Sequence, residues 1–417
     1  MKNNLRKIAL NGFIVLSCLL SIGNDFFEMT FPLYVQYFII ALAFGLLLTV
    51  CAVQRSFVVK DVYTFLLIGM MWFVYWRNAT TRYYAIYIML LLFVTISRSL
   101  PDIWMKLAVN MLKIAYMFFA LATIFLRFNE RIYMNNVVPL FPDYSREMAY
   151  CYGMGYMTGL TANYARNSSL ISVALIVLIS ELCNKKRSKL IWTVFVLICC
   201  VALVLSCKRA HTLFVSFTIL FCLFLYLSDR PNDRVLKFIG IGMFIIVVGA
   251  VLINTVPQVE LLVSRFSNLS EDEAVQNRFS IWGIALAVFF GKPLFGVGWG
   301  NFMSYTTRLL GNSWNAHNMY LQLLCEDGIV GALIFFSFII SIYVGTIRAF
   351  VRCRAGKQAS SPTVQQYLMF SVGMQTFTLL YSLTGSPLTD IRIYVPYFIS
   401  AAIYLYYRHQ WRYYEEI

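Results

Sequence analysis

Apolar runs of roughly 16 to 23 residues recur along the whole chain and are separated by short charged segments. A helix needs about 20 apolar residues to cross a hydrocarbon core of about 30 Å, and only helices and closed barrels satisfy their backbone groups inside it. Hydrophobic residues make up 60% of the 417 residues and charged residues only 13%, against roughly 25% charged in a soluble domain. The sequence therefore predicts an all-α integral membrane protein.

Twelve segments are apolar enough to be predicted as transmembrane helices of one polytopic domain, residues 1–417. They are 8–23, 31–53, 62–76, 83–97, 107–126, 168–183, 190–207, 210–228, 235–254, 329–347, 364–384 and 393–407. Basic residues precede the first run as in a signal peptide, but no small-residue cleavage site follows it. We therefore expect the first run to stay as an anchor.

Short basic patches lie in alternate connections between these segments, for example at 184–189, 229–237 and 348–357. Lys and Arg accumulate in cytoplasmic loops, so this pattern predicts that both termini are cytoplasmic. The formal net charge of +15 is then a topology signal, and we expect no nucleic-acid partner.

The motifs of several other classes are absent from the sequence. The ten cysteines lie mostly within predicted spans or on the cytoplasmic side, with neither a disulfide framework nor the paired spacing of a zinc site. There is no Walker loop and no HExxH pattern. We therefore expect no metal and no cofactor, and an ATP-driven pump is disfavoured.

Two predicted outer loops, 127–167 and 255–328, are much longer than the other connections. Long loops in compact domains are usually functional or disordered. The second contains a candidate amphipathic or re-entrant helix at 278–290, followed by the glycine-rich run GVGWG at 296–300. No strand precedes these glycines, so we interpret them as a tight turn and not as a nucleotide-binding loop. Function is expected on this outer face.

Several Lys and Arg residues lie in predicted outer segments, where the accumulation of basic residues in cytoplasmic loops does not explain them. Lys208 and Arg209 are the polar content of an outer turn so short that their charges must lie at or below the membrane surface, which is costly without a partner. For Arg209 the structural alternative is snorkelling to lipid headgroups. Arg265 and Arg278 flank the acidic run 271–273 and could simply pair with it.

Three segments in a fixed order carry a resemblance to a known family. They are CKRA at 207–210, NRFSIWGIALAVFFGKPLFGVGWGNF at 277–302 and NAHNMYLQLLCEDGIVGALIFF at 315–336. Together they resemble the O-antigen ligase/polymerase superfamily, whose members have an Arg at a span end, a later Arg before a Trp-containing helix, a P-L-x-G-x-G-x-G-x-F turn, and H-N-x-x-L followed by E-x-G-x-x-G. Cys207 and Lys208 replace the small residues common before the first Arg, and a weaker likeness covers 158–170.

The resemblance implies a GT-C-type, inverting and metal-independent glycosyltransferase of the bacterial cytoplasmic (inner) membrane. Its donor would be a glycan linked to undecaprenyl diphosphate, and its acceptor another glycan or the lipid A core. Membrane lipids are the remaining partners, and the reaction would take place on the periplasmic side.

The residues fit such a reaction. A departing diphosphate needs charge stabilisation more than protonation, and Arg binds phosphate oxygens bidentately, so Arg209 and Arg278 are the candidate diphosphate ligands. The acceptor hydroxyl needs a general base, for which His317, one of three histidines, is the candidate. We expect His317 to share a helix face with Tyr320 and to project from a short surface helix. Possible substrate-binding residues are Lys208, Arg265, Asn318, Tyr320 and His211.

Three functions remain open. The resemblance slightly favours a polymerase of O-antigen or capsular repeat units, with a ligase that joins the polysaccharide to lipid A core as the alternative. A flippase or secondary transporter without catalysis would need paired ionisable residues within the spans, and Lys113 is almost the only candidate. The structural alternative for His317 is an interfacial side chain on an ordinary helix.

Overall fold

The computed structural model describes residues 2–54, 69, 83–184, 189–227, 257–267, 273–356, 358, 360–387 and 389–415. This part of the chain is helical and contains no strand. The longer helices are α1 (Lys2–Ile22), α2 (Asn24–Thr30), α3 (Leu33–Gln54), α4 (Tyr83–Ile96), α5 (Ile103–Arg127), α6 (Ser145–Gly153), α7 (Tyr164–Asn184), α8 (Lys189–Ser206), α9 (Arg209–Tyr226), α10 (Pro257–Ser267), α11 (Glu273–Gly291), α12 (Phe302–Leu310), α13 (Met319–Arg354), α14 (Pro362–Tyr381) and α15 (Ile391–Glu415).

Seven of these helices, α1, α3, α5, α7, α8, α9 and α13, are long and apolar enough to cross a membrane. Two of them contrast in hydropathy and in burial. The most apolar, α8, has 28% of its residues buried, whereas the least apolar, α7, has 89% of its most apolar stretch buried. Lipid accommodates apolar side chains, while polar groups need protein partners. The polar helix α7 therefore lies in the interior, packed by α5, α8, α9 and α14.

The fold is that of a polytopic helical membrane protein, but these helices do not confirm twelve spans. The predicted span 235–254 lies outside the described residues, as does the predicted span 62–76 apart from residue 69. The predicted spans 364–384 and 393–407 coincide with α14 and α15, which are helical but not among the seven apolar helices. Buried polar side chains such as Gln366 lower the hydropathy of these interior helices.

A buried ion pair joins α5 to α7. Lys113 Nζ lies 2.8 Å from Glu181 Oε1, and Gln366 Nε2 of α14 donates to the same oxygen at 3.1 Å. Lys113, the ionisable residue that the sequence singled out within the predicted spans, is therefore paired. Lys113 has a carboxylate partner 68 positions away, which no local pattern in the sequence reveals.

A second ionic network ties the ends of several helices together. Asp25 accepts from Arg166 at 2.8 Å and from Arg392, and Arg392 also bonds Asp390 at 2.8 Å. The hydroxyl of Ser169 donates to Asp390 at 3.2 Å. This network lies at the same end of the bundle as the Lys208–Arg209 turn, because α7 begins here and α8 ends here.

Candidate active site

The helix α13 is broken at Gly328, whose φ of 67° and ψ of −173° are not helical. The glycine-rich segment packs against this break. Two N–H groups of 297–298 donate to carbonyls of 325–326, and two N–H groups of 329–330 donate to carbonyls of 293–294, at 2.7 to 3.1 Å. The break therefore frees backbone groups that the neighbouring segment satisfies, as a membrane-associated backbone requires.

Two glycines make this contact possible. A Cβ on Gly296 would lie 2.2 Å from the carbonyl oxygen of Glu326, and a Cβ on Gly328 would lie 2.4 Å from the carbonyl of Leu294. Both glycines have positive φ, which L side chains rarely adopt. The predicted turn at 296–300 is a turn in the structure, and its tightness comes from contact between two backbones.

Glu326 is buried beneath this turn. Its Oε1 accepts from the backbone N–H of Phe302 at 3.2 Å and from Gln322 Nε2 at 3.4 Å. Glu326 lies inside α13, two residues before the break. The helix end that it satisfies belongs to α12, which begins at Phe302.

His317 lies in the turn before α13 and not on the helix. Its φ is 49°, in the left-handed region. The next residue, Asn318, is the N-cap, and its Oδ1 accepts from the N–H of Leu321 at 3.1 Å. The expectation that His317 shares a helix face with Tyr320 is therefore wrong. The physical reason is that Asn is a preferred N-cap, so the helix begins after it.

Trp282 fixes the turn that carries His317. Its Nε1–H donates to the carbonyl of Ala316 at 2.8 Å, directly before His317. Trp282 follows Arg278 by four residues on α11, so both side chains lie on one face of that helix. One helix thus supplies a cation to the site and a hydrogen bond that holds the histidine near it. Trp282 was not among the predicted site residues.

A small apolar core supports this arrangement. Its buried members come from α11, α12, α13, the glycine-rich turn and the residue before His317: Ile281, Ala285, Val288, Val297, Phe302, Ala316 and Cys325. The core keeps the three helices at fixed distances, so the site rests on packed elements and not on a free loop.

His317 is neutral at pH 7. Burial, together with the smaller effect of the positive charges of Arg278 and Lys208, lowers the pKa of its imidazole from 6.5 to about 4. Arg278 and Lys208, which come from separate parts of the chain, therefore both lie within electrostatic reach of His317.

Arg209 and Arg265 tie the Lys208 turn to α10. Cys207 has a φ of 51°, and its carbonyl accepts from Arg265 Nη1 at 2.7 Å. Arg209 Nη1 donates in return to the carbonyl of Arg265. The guanidinium of Arg209 is thus bonded within the protein, in contrast to the snorkelling alternative. The side chains of the acidic run 271–273 lie outside the described part of the chain.

Two tyrosines from the first long loop region meet these cations. The guanidinium of Arg265 lies over the ring of Tyr156 at 4.6 Å, and Lys208 Nζ lies over the ring of Tyr164 at 5.2 Å. Such contacts stabilise a cation beside an aromatic face. Tyr164 falls within the weak likeness at 158–170, but no motif singled it out, and Tyr156 had no sequence signal.

The other candidate substrate-binding residues have partners in the fold. His211 is fully buried, with its Nε2 3.0 Å from Ser169 Oγ and its ring 4.3 Å from that of Tyr381. Its side chain does not reach a surface open to substrate in this conformation. Tyr320 donates its hydroxyl to the carbonyl of Leu379 at 2.8 Å, which anchors the start of α13 to α14.

Residues 194–336 match the model of a family described as O-antigen ligase. The matched range contains all three segments on which the resemblance rests, and it confirms the resemblance to the O-antigen ligase/polymerase superfamily. No curated protein sequence matches the chain.

Proposed function

We propose that this protein transfers a glycan from undecaprenyl diphosphate to an acceptor sugar, as a polymerase of O-antigen or capsular repeat units. The observation that carries the proposal is a neutral His317 held near Arg278 and Lys208, inside a range that matches the O-antigen ligase family. The proposal includes a bacterial inner membrane, twelve spans, cytoplasmic termini and a periplasmic site built from the loops 127–167 and 255–328.

The chemistry of the donor's leaving group explains why the site needs positively charged side chains. When the bond between the anomeric carbon and the diphosphate oxygen breaks, that oxygen takes up negative charge, which preorganised cations stabilise. Arg278 and Arg209 are the proposed ligands of the diphosphate, and Lys208 lies beside Arg209 in the sequence and within reach of His317. A guanidinium suits this role because it stays charged and binds two oxygens at once.

His317 is the proposed general base. It accepts the proton of the acceptor hydroxyl while that oxygen attacks the anomeric carbon from the face opposite the diphosphate, so the configuration inverts without a covalent intermediate. In the free protein its pKa is about 4. A bound diphosphate offsets the positive charges of Arg278 and Lys208 and thereby raises the pKa of His317 toward neutrality. The base becomes stronger only when the donor is in place.

Polymerase and ligase differ in the glycans of a deletion strain. If the protein is a polymerase, we expect single repeats on the lipid A core and no longer ladder, and the ladder should return with the wild-type gene. Loss of all repeats from the core, together with accumulation of carrier-linked polymer, would identify a ligase instead. Purified protein that loses activity in chelator would contradict the metal-independent part of the proposal.

Transport without catalysis is the alternative from another class. The Lys113–Glu181 pair is the feature that this alternative requires, but both side chains are enclosed and the carboxylate also binds Gln366, as in a structural pair. An assay that mixes the purified protein with a carrier-linked donor and an acceptor distinguishes glycan transfer from transport. Formation of a new glycosidic bond in detergent supports transfer, whereas a transporter forms none.

Trp282→Phe tests whether the bond to the Ala316 carbonyl positions His317. The variant keeps an aromatic ring and loses the 2.8 Å hydrogen bond, so we expect kcat to fall about tenfold while KM for the donor changes little. The matched control is Trp104→Phe, which alters a buried tryptophan whose Nε1 has no hydrogen-bond partner among the described residues.

A double-mutant comparison distinguishes positioning from general loss of stability. If Trp282 acts through His317, the change Trp282→Phe should have almost no further effect on kcat in a His317→Asn background. Additive losses in the double variant, or equal losses in Trp282→Phe and Trp104→Phe, would contradict the positioning role.

A further inference from the structure

A groove with a volume of about 790 Å³ lies between α13 and α15, away from the candidate active site. Its apolar floor comes from residues of α13 that recur every three or four positions: Leu333, Phe336, Ile340 and Val344. Leu333 and Ile340 are 61% and 54% exposed, so the floor is open to the surroundings of the bundle. A long apolar trough on the outside of a membrane helix fits an acyl chain.

The helix crossing shapes the groove. At Gly345 the hydroxyl oxygen of Tyr404 would lie only 2.0 Å from an added Cβ. The absence of a side chain at Gly345 therefore lets α15 approach α13 closely, as small residues do in membrane helix pairs. The two helices meet along this line, and the groove occupies the angle between them.

Three arginines line one end of the groove. Arg348 and Arg352 are one turn apart on α13, and Arg408 comes from α15, with Trp411 beside it. None of the described carboxylates forms an ion pair with these arginines, and no Asp or Glu is among the described residues of the lining. The groove thus joins an apolar trough to a concentrated positive charge.

The arginine end lies far from His317. Arg348 follows Gly328 by more than five turns, or about 30 Å at 1.5 Å per residue, which is the thickness of a hydrocarbon core. A donor whose diphosphate sits near His317 cannot place the same group between these arginines. A ligand of the groove would therefore be a different molecule from the donor at His317.

We propose that this groove binds an anionic phospholipid of the opposite, cytoplasmic leaflet. One acyl chain lies along the floor from Leu333 to Val344, and the headgroup phosphate lies among the three arginines. Guanidinium groups bind phosphate oxygens bidentately, and basic pockets between membrane helices on the cytoplasmic side suit anionic headgroups. Trp411 is placed as interfacial tryptophans are, at headgroup level. The proposal is independent of the reaction at His317.

The test uses full-length protein in nanodiscs of phosphatidylcholine, with or without phosphatidylglycerol. We expect phosphatidylglycerol to raise the midpoint of thermal unfolding and to copurify with the protein in native mass spectrometry. The triple variant Arg348→Gln, Arg352→Gln and Arg408→Gln should lower the affinity for phosphatidylglycerol at least tenfold. An equal loss in the control Lys7→Gln, Lys106→Gln and Lys189→Gln, which removes three charges outside the groove, would overturn the site.

A second variant tests the acyl chain separately from the charge. Ser341→Trp places a large side chain in the groove and keeps all three arginines. We expect it to weaken phosphatidylglycerol binding as well. Normal lipid binding by Ser341→Trp would overturn the groove as the acyl site. Stabilisation of the wild type by inorganic phosphate alone, to the same extent, would overturn a lipid as the occupant.

Discussion

Replacing His317 with Asn is expected to lower kcat for glycan transfer by about 10²- to 10⁴-fold, the usual contribution of a general base. Asn suits this test because residue 317 has a φ of 49°, and Asn tolerates the left-handed region better than Ala does. The backbone of the turn is therefore kept while the proton acceptor is lost. Initial rates with purified protein and a defined carrier-linked donor measure the effect, and glycan ladders report it in cells.

His409→Asn is the matched control, because His409 is exposed near the end of α15 and touches no part of the site. We expect it to retain wild-type activity. The pH profile adds a second check. Since the pKa of His317 is about 4, its imidazole is neutral above that pH, and kcat/KM should fall as the pH drops through about 4. A folded His317→Asn variant with near wild-type rates, or with the same acid limb, would contradict the base assignment.

The sequence predicted what depends on local hydropathy and on short motifs. Apolar runs located α3, α5 and α8, because a lipid-facing helix must be apolar along its length. The order of the motifs singled out His317, Arg278 and Lys208, and the structure places both cations within electrostatic reach of His317. The convergence of Arg209 on the same site stays a prediction.

Hydropathy was weakest for interior helices and for pairs distant in sequence. The sequence did predict a span at 364–384, but the side chains of Gln366 and Gln375 face protein partners there, so α14 is not among the seven helices that are apolar enough to cross a membrane. Asp25 and Arg392 meet across 367 positions, and no periodicity links them. The prediction from local sequence also placed His317 on a helix, but the helix begins only after the N-cap residue Asn318.

The hydrogen bond from Trp282 to Ala316 illustrates the same limit at the site. It spans 34 positions and depends on how α11 packs against the turn. A tryptophan in an apolar helix has an ordinary explanation as a core residue, so its indole N–H gave no signal. Positioning residues are harder to predict than reacting ones, because their chemistry does not restrict their type.

Gly328→Ala is expected to prevent the stable folding of the site region and to remove most of the folded protein from the membrane. The residue has a φ of 67° and a ψ of −173°, a region that costs a side chain on the order of 1–3 kcal/mol. Its added Cβ would also lie 2.4 Å from the Leu294 carbonyl, so the two backbones must separate. Separation breaks the hydrogen bonds between 293–298 and the break in α13. Monodispersity and thermal unfolding of the purified variant measure the loss.

Substitutions at two other glycines distinguish the cost of backbone strain from the cost of steric contact. Gly311 has a φ of 74° but nothing within 4 Å of its added Cβ, so Gly311→Ala should show the strain alone. Gly283 is helical and also has open space, so Gly283→Ala should be neutral or slightly stabilising. We expect Gly328→Ala to be far more destabilising than Gly311→Ala, and Gly296→Ala to resemble Gly328→Ala because it meets the Glu326 carbonyl at 2.2 Å. Equal losses of stability in Gly328→Ala and Gly311→Ala would mean that the glycine-rich turn does not pack tightly on the break in α13. The proposed contact between the two backbones would then be wrong.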